Sequence, residues 1–155
     1  MEILIISGLS GSGKSKAASF LEDIGFYIVD NMPAGMILKF AEFCAAGSSR
    51  YSKVALVYDV RTADNFDDFL DVLRTLRAKG YQCRLLFLEA DVRTIIKRYK
   101  ETRRRHPISL SMGLSTSDAI REERRILRPM YERANYIVDT SLLTTAQHKE
   151  RICSL

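Results

Sequence analysis

The stretch that most restricts what this chain can become is GLSGSGKS, Gly8 to Ser15, placed directly behind the apolar run MEILIIS. Glycines at positions 8, 11 and 13 let the backbone turn with its N–H groups pointing inward, forming a concavity for anionic oxygens that a Cβ at the tightest points would obstruct. Turn propensity explains the glycines, but it gives no reason for a lysine followed by a hydroxyl. The pattern G-x-x-x-x-G-K-[ST] gives one, provided a buried strand precedes it and a helix follows. Both are expected here. Glu2 to Ser7 is an isoleucine-dominated run that reads as a strand buried on both faces. Ala17, Ala18, Leu21 and Ile24 fall at helix spacing behind Lys14, and Gly25 is placed to close that helix.

Each residue type in the loop then has a chemical task. The helix start at Lys14 supplies free amides and the positive end of its dipole. Lys14 reaches the β and γ phosphates of a nucleoside triphosphate, and the Ser15 hydroxyl suits Mg²⁺, which prefers oxygen ligands. The predicted cradle is therefore Gly8, Leu9, Ser10, Gly11, Ser12, Gly13, Lys14 and Ser15. Such sites use a carboxylate at a nearby strand end to hold the magnesium or its water shell. Asp59, after the run VALVY, is the first candidate. Asp30, after FYIV, is the second, and its alternative task is to orient an attacking water or an acceptor hydroxyl. Lys14, Asp59 and Asp30 are thus the candidate catalytic residues, and Ser15 and Asp59 the candidate metal ligands. Each aspartate has a plain alternative as a strand-end cap, and Asp139 is assigned to that role.

The alternation of elements continues to the last residues. Phe26–Val29, Val54–Tyr58, Arg84–Glu89 and Tyr136–Asp139 read as further strands. Between them Met36, Ile37, Phe40 and Phe43, then Phe66, Phe69, Leu70, Leu73 and Leu76, then Val92, Ile95, Ile96 and Tyr99 mark helical faces. Asp64 or Asn65 caps the second of these faces, Asp67 and Asp68 lie in its first turn, and Gly80 stands at its exit. A polar loop is expected over Ile108–Ser117, then a charged helix from about Asp118 that Pro129 should kink or interrupt. Strands alternating with helices predict one α/β domain over residues 1–155, a mostly parallel sheet of about five strands with helices on both faces. The pattern does not give the strand order.

With 46% hydrophobic and 28% charged residues the chain falls outside the disordered and membrane classes. Three widely spaced cysteines suggest neither a disulfide framework nor a zinc site. The first residues lack the basic region and length of a secretory or membrane segment, so a reducing cytoplasm is expected. The formal charge of +5 is concentrated in two clusters: Lys97, Arg98, Lys100, Arg103, Arg104 and Arg105, then Arg121, Arg124, Arg125 and Arg128. Three readings stand for them: a mobile lid clamping a transferring phosphoryl group, a contact with RNA, or a solvated helix face balanced by Glu101, Glu122 and Glu123.

Taken with VDNMP at Val29–Pro33, YDVR at Tyr58–Arg61, TRRRHP at Thr102–Pro107 and YIVDTS at Tyr136–Ser141, the loop resembles the N-terminal half of the RapZ/YvcJ family of bacterial nucleotide-binding proteins. The resemblance covers nearly the whole chain, with Met32 where leucine is usual. It implies a P-loop ATPase/GTPase-type domain with a nucleoside-kinase-like fold, ATP bound at Gly8–Ser15, and GTP assigned to Asp59, Val60, Arg61 and Thr62. The loop and the resemblance together point to regulatory binding and slow hydrolysis of ATP or GTP with Mg²⁺, with a kinase for a small acceptor as the alternative. Some intact family members act as adapters, for which the resemblance implies small regulatory RNA and a ribonuclease as partners. That RNA role belongs mainly to a C-terminal half, which is expected to be absent from this chain.

Overall fold

The computed structural model describes residues 1–47, 49–58, 66–103 and 105–155. Its centre is strand β1, Glu2–Gly8, in which Ile3 and Ile5 enter one hydrophobic layer and Leu4 and Ile6 the other. Helix α1 (Lys14–Asp23), strand β2 (Tyr27–Asp30), helix α2 (Ala34–Ala46) and strand β3 (Lys53–Val57) follow. Helix α3 (Phe66–Ala78), strand β4 (Gln82–Glu89) and helix α4 (Val92–Thr102) continue the alternation. The chain closes with helix α5 (Pro107–Met112), helix α6 (Thr116–Glu132), strand β5 (Tyr136–Asp139) and helix α7 (Thr145–Cys153).

The strands form one sheet in the order β2-β3-β1-β4-β5, and every pairing is parallel. Parallel neighbours require crossover segments, and the intervening helices supply them on both faces of the sheet. On one face Ile3, Ile5, Val54, Leu56, Leu85 and Phe87 pack with side chains of α2, α3, α4 and α6. On the other, Leu4, Ile6, Ala55, Val57, Leu86 and Leu88 pack against Ala17, Ala18 and Leu21 of α1 and Ile152 of α7. The period-two alternation of β1, β3 and β4 thus feeds two cores at once.

Three sequence expectations differ from the structure. The segment expected as a polar loop over Ile108–Ser117 contains all of α5 but its first residue, and the first two residues of α6. Pro107 occupies the first turn of α5, the His106 side chain accepts from the Ile108 amide as its N-cap, and Gly113 closes it in the left-handed region at φ 67°. Burial of Ile108 anchors this short helix. Pro129 does not interrupt α6, which runs on to Glu132. The proline stands in the last two turns, where buried Leu127 and Met130 hold the helix to the sheet. The second strand begins one residue later than read and includes Asp30.

Candidate functional site

The glycine loop leaves β1 at the centre of the sheet and turns into α1. Gly8 has φ 148°, and a Cβ there would lie 2.3 Å from the Leu88 carbonyl oxygen on β4. Only a residue without a side chain lets the loop begin this close to the neighbouring strand, and the Leu9 amide donates to that same oxygen at 3.1 Å. Gly13, at φ 105°, stands as N-cap of α1 with no side-chain cap. A Cβ there would meet Cε1 of His148 on α7 at 2.9 Å.

The loop amides divide into two sets. Leu9 donates to Leu88, Ser12 to the Leu9 carbonyl at 3.0 Å, and Ser10 to Glu123 Oε1 at 2.7 Å, so these three amides serve the loop itself. The amides of Gly11, Gly13 and Ser15 have no acceptor among the described residues. They belong to a turn and a helix start, where unpaired N–H groups create an anion-binding concavity. The Lys14 ammonium sits over the loop, 3.0 Å from the Gly8 carbonyl and 3.1 Å from that of Leu9. Ser15 is exposed at the entrance.

Around this loop lies a cleft of about 510 Å³ whose lining includes Lys14, Ser15, Asp30, Arg98, Arg105 and His148. Asp30 ends β2 and is exposed; its carboxylate forms no hydrogen bond among the described residues. The sequence therefore brings Gly11–Ser15 and Asp30 into one cavity. Asp59, Val60, Arg61 and Thr62 lie outside the described residues, as do Asp64, Asn65 and Arg104. Ser15 and Asp30 offer the hard oxygen donors that Mg²⁺ takes.

The arginine clusters separate in space. Arg98 crosses from α4 to the loop, donating to the Gly11 carbonyl at 2.8 Å and to the Thr140 carbonyl at 2.9 Å. Thr140 is buried after β5 and donates from Oγ1 to the Ser12 carbonyl at 2.6 Å, fixing the loop from the other side. Arg105 lines the cleft. The second cluster is instead taken up in ion pairs: Arg121 with Asp118, Arg124 with Glu89, Arg125 with Glu122 and Arg128 with Glu132. For Arg121, Arg125 and Arg128 the solvated-face reading fits. Asp139 accepts from the Ser141 amide and hydroxyl in a tight turn, the structural role assigned to it.

Sequence reading missed three groups. Glu123, read as part of a solvated face, is wholly buried against Ser10. Its spacing from Ala119, Ile120, Leu127 and Met130 was the available signal, since all five lie on one helical stripe. His106 and His148 are also buried. His148 packs edge-to-face on Phe20, and its Nε2 has no hydrogen-bond partner among the described residues. Burial first, then Lys16 and Arg98, hold its pKa below the ordinary histidine value.

A five-stranded parallel sheet with a glycine loop turning from its central strand into a helix defines the kinase-like class of P-loop α/β folds. Solved structures bear this out. The shikimate kinase from Acinetobacter baumannii, solved with shikimate, aligns at TM-score 0.66 and 14% identity, covering 99% of this chain and 92% of that one. A gluconokinase from Sinorhizobium meliloti aligns at TM-score 0.58 and 16% identity, covering 99% and 90%. Within that class the chain belongs to the RapZ-like N-terminal domain family, whose family model matches residues 1–155. A nucleotide-binding protein of Acetivibrio thermocellus is 46% identical over 155 residues, all of this chain and 53% of its own length. The chain thus spans about half the length of the curated relatives it matches.

Proposed function

We propose that the cleft binds ATP or GTP with Mg²⁺ and hydrolyses it slowly, the bound state serving a regulatory role. The observation that carries this reading is the set of open amides at Gly11, Gly13 and Ser15, with the Lys14 ammonium above them and α1 pointing its N-terminus at the same spot. The relatives' designation as nucleotide-binding proteins supports it.

In this reading the amides grip the β-phosphate region and Lys14 moves from the Gly8 and Leu9 carbonyls to the phosphate oxygens. Ser15 and Asp59 hold the magnesium, which when bound neutralises phosphate charge. Asp30 or Asp59 orients the attacking water. Val60, Arg61 and Thr62 take part in GTP binding, as the family resemblance implies. Small RNA and a ribonuclease, the partners implied for intact relatives, belong to the other half of their length. Calorimetric titration with ATP and with GTP in magnesium tests the proposal. Lys14→Ala is expected to raise Kd by about tenfold or more, the loss of charged hydrogen bonds to phosphate. Equal affinity in both chains would overturn it.

A second reading is favoured by Asp30, whose carboxylate faces the same cleft as the glycine loop in a fold shared with small-molecule kinases. Asp30 then accepts the proton of an acceptor hydroxyl while Arg98 and Arg105 flank the transferring phosphoryl group. Radiolabelled phosphoryl transfer to a sugar or nucleoside, lost in Asp30→Asn, would establish it; a screen yielding only inorganic phosphate would dismiss it. The RNA-contact reading of the second arginine cluster loses support from its ion pairs.

A further inference from the structure

The anion-binding loop rests on a buried carboxylate from a distant helix, and we propose that Glu123 and His106 are positioning residues that set the loop's shape. The proposal rests on the reading of the cleft as a polyphosphate site.

Glu123 and His106 are both fully buried. Glu123 Oε1 accepts from the Ser10 amide at 2.7 Å, and Oε2 accepts from the Ser10 hydroxyl at 2.6 Å. His106 Nε2 lies 3.1 Å from Oε1. The Ile108 amide donates to His106 Nδ1 at 3.1 Å, which leaves the imidazole proton on Nε2, directed at the carboxylate. A buried carboxylate without a cation persists only where donors supply its oxygens, and three donors do so here.

Two consequences follow for the loop. The amide and hydroxyl of Ser10 are fixed immediately before Gly11, so the first open amide of the concavity is held in direction before any ligand arrives. Arg105 and Pro107, the neighbours of His106, both line the cleft. His106, between these two cleft-lining residues, and Ser10 of the loop therefore share one buried anchor on α6. Against this stands a Coulombic effect: a carboxylate beside the loop repels a polyanion. Orientation and repulsion predict opposite results when the carboxylate is removed, which makes the balance measurable.

Glu123→Leu keeps the volume and removes the acceptors. Glu123→Gln keeps an acceptor for the Ser10 amide and removes the charge. His106→Asn keeps a side-chain cap for α5 and removes the donor to Glu123. Each is compared with the parent chain in affinity for Mg²⁺ and a nonhydrolysable ATP analogue. Amide hydrogen exchange at Leu9 and Ser12, the loop amides held by backbone carbonyls, is measured without nucleotide. Expected are a Kd raised about tenfold in Glu123→Leu with faster loop exchange, a several-fold rise in His106→Asn, and affinity near the parent's in Glu123→Gln. Parent-like affinity and exchange in folded Glu123→Leu would overturn the proposal, as would tighter binding there or a loss in Glu123→Gln equal to that of leucine. Should Glu123→Leu fail to fold, His106→Asn decides by the same two readouts. If the parent chain itself ignores the analogue, the nucleotide reading falls, and the nucleotide-free exchange still decides whether these residues shape the loop.

Discussion

Gly8 shows how one residue ties chemistry to packing. Its missing side chain is what brings the loop's first residue within hydrogen-bond reach of β4. Gly8→Ala would drive a methyl group into the Leu88 backbone, which has no rotamer to escape through, at a φ that side chains rarely adopt. The expected cost is about 2–4 kcal/mol, seen as a lowered urea midpoint. Substitution at Gly25, which has open space around it, meets no such obstruction, and its penalty at φ 97° should be smaller. The glycine loop of the candidate cleft is legible at this scale, because the Lys-Ser pair behind three glycines has few physical explanations. Glu123 was not legible as a partner of Ser10, because a glutamate between charged neighbours looks the same whether its stripe faces water or the sheet.

Helices α1 and α7 meet at the loop's rim, where His148 lies against Gly13 and Phe20. The depressed pKa of this histidine fixes the sign of a pH effect. The folded chain keeps it neutral while the unfolded chain takes up a proton, so the stability it contributes is present above the ordinary histidine range and is lost as pH falls through the folded value. The thermal midpoint should therefore drop on acidification below about pH 6.5, and His148→Gln should flatten that drop. A polyphosphate near Lys16 and Arg98 offsets the charges that depress His148, so binding is expected to take up protons. Calorimetry in buffers of different ionisation heat reads that uptake directly. Elements were legible where apolar runs were long, as in β1 and β4. Helix α5 was not, since six residues containing two serines carry almost no periodic signal and its cap comes from an imidazole.

Across the whole molecule, the sheet brings the glycine loop, Asp30 and Thr140 to the carboxyl ends of its strands, at the crevice where β1 lies between β3 and β4. Alternating strands and helices predict the parallel layers, but they leave the order of strands open, because each crossover can pass to either side of its neighbour. A ligand that binds only this assembled crevice should stabilise the entire domain. At a hundredfold excess over Kd, ATP with magnesium is expected to add about 2.7 kcal/mol to unfolding, read as a rise in thermal midpoint that Lys14→Ala loses at the same concentration. Among the described residues no helix is long and apolar enough to cross a membrane.

Strand β1 is locked in register on both sides, Ile5 opposite Leu56 on one neighbour and Leu85 on the other. It works as a ruler: inserting a single amino acid between Leu4 and Gly8 would exchange the layers its side chains enter and carry the glycine away from Leu88. Length variation in a library of this domain should therefore be purged from that segment first.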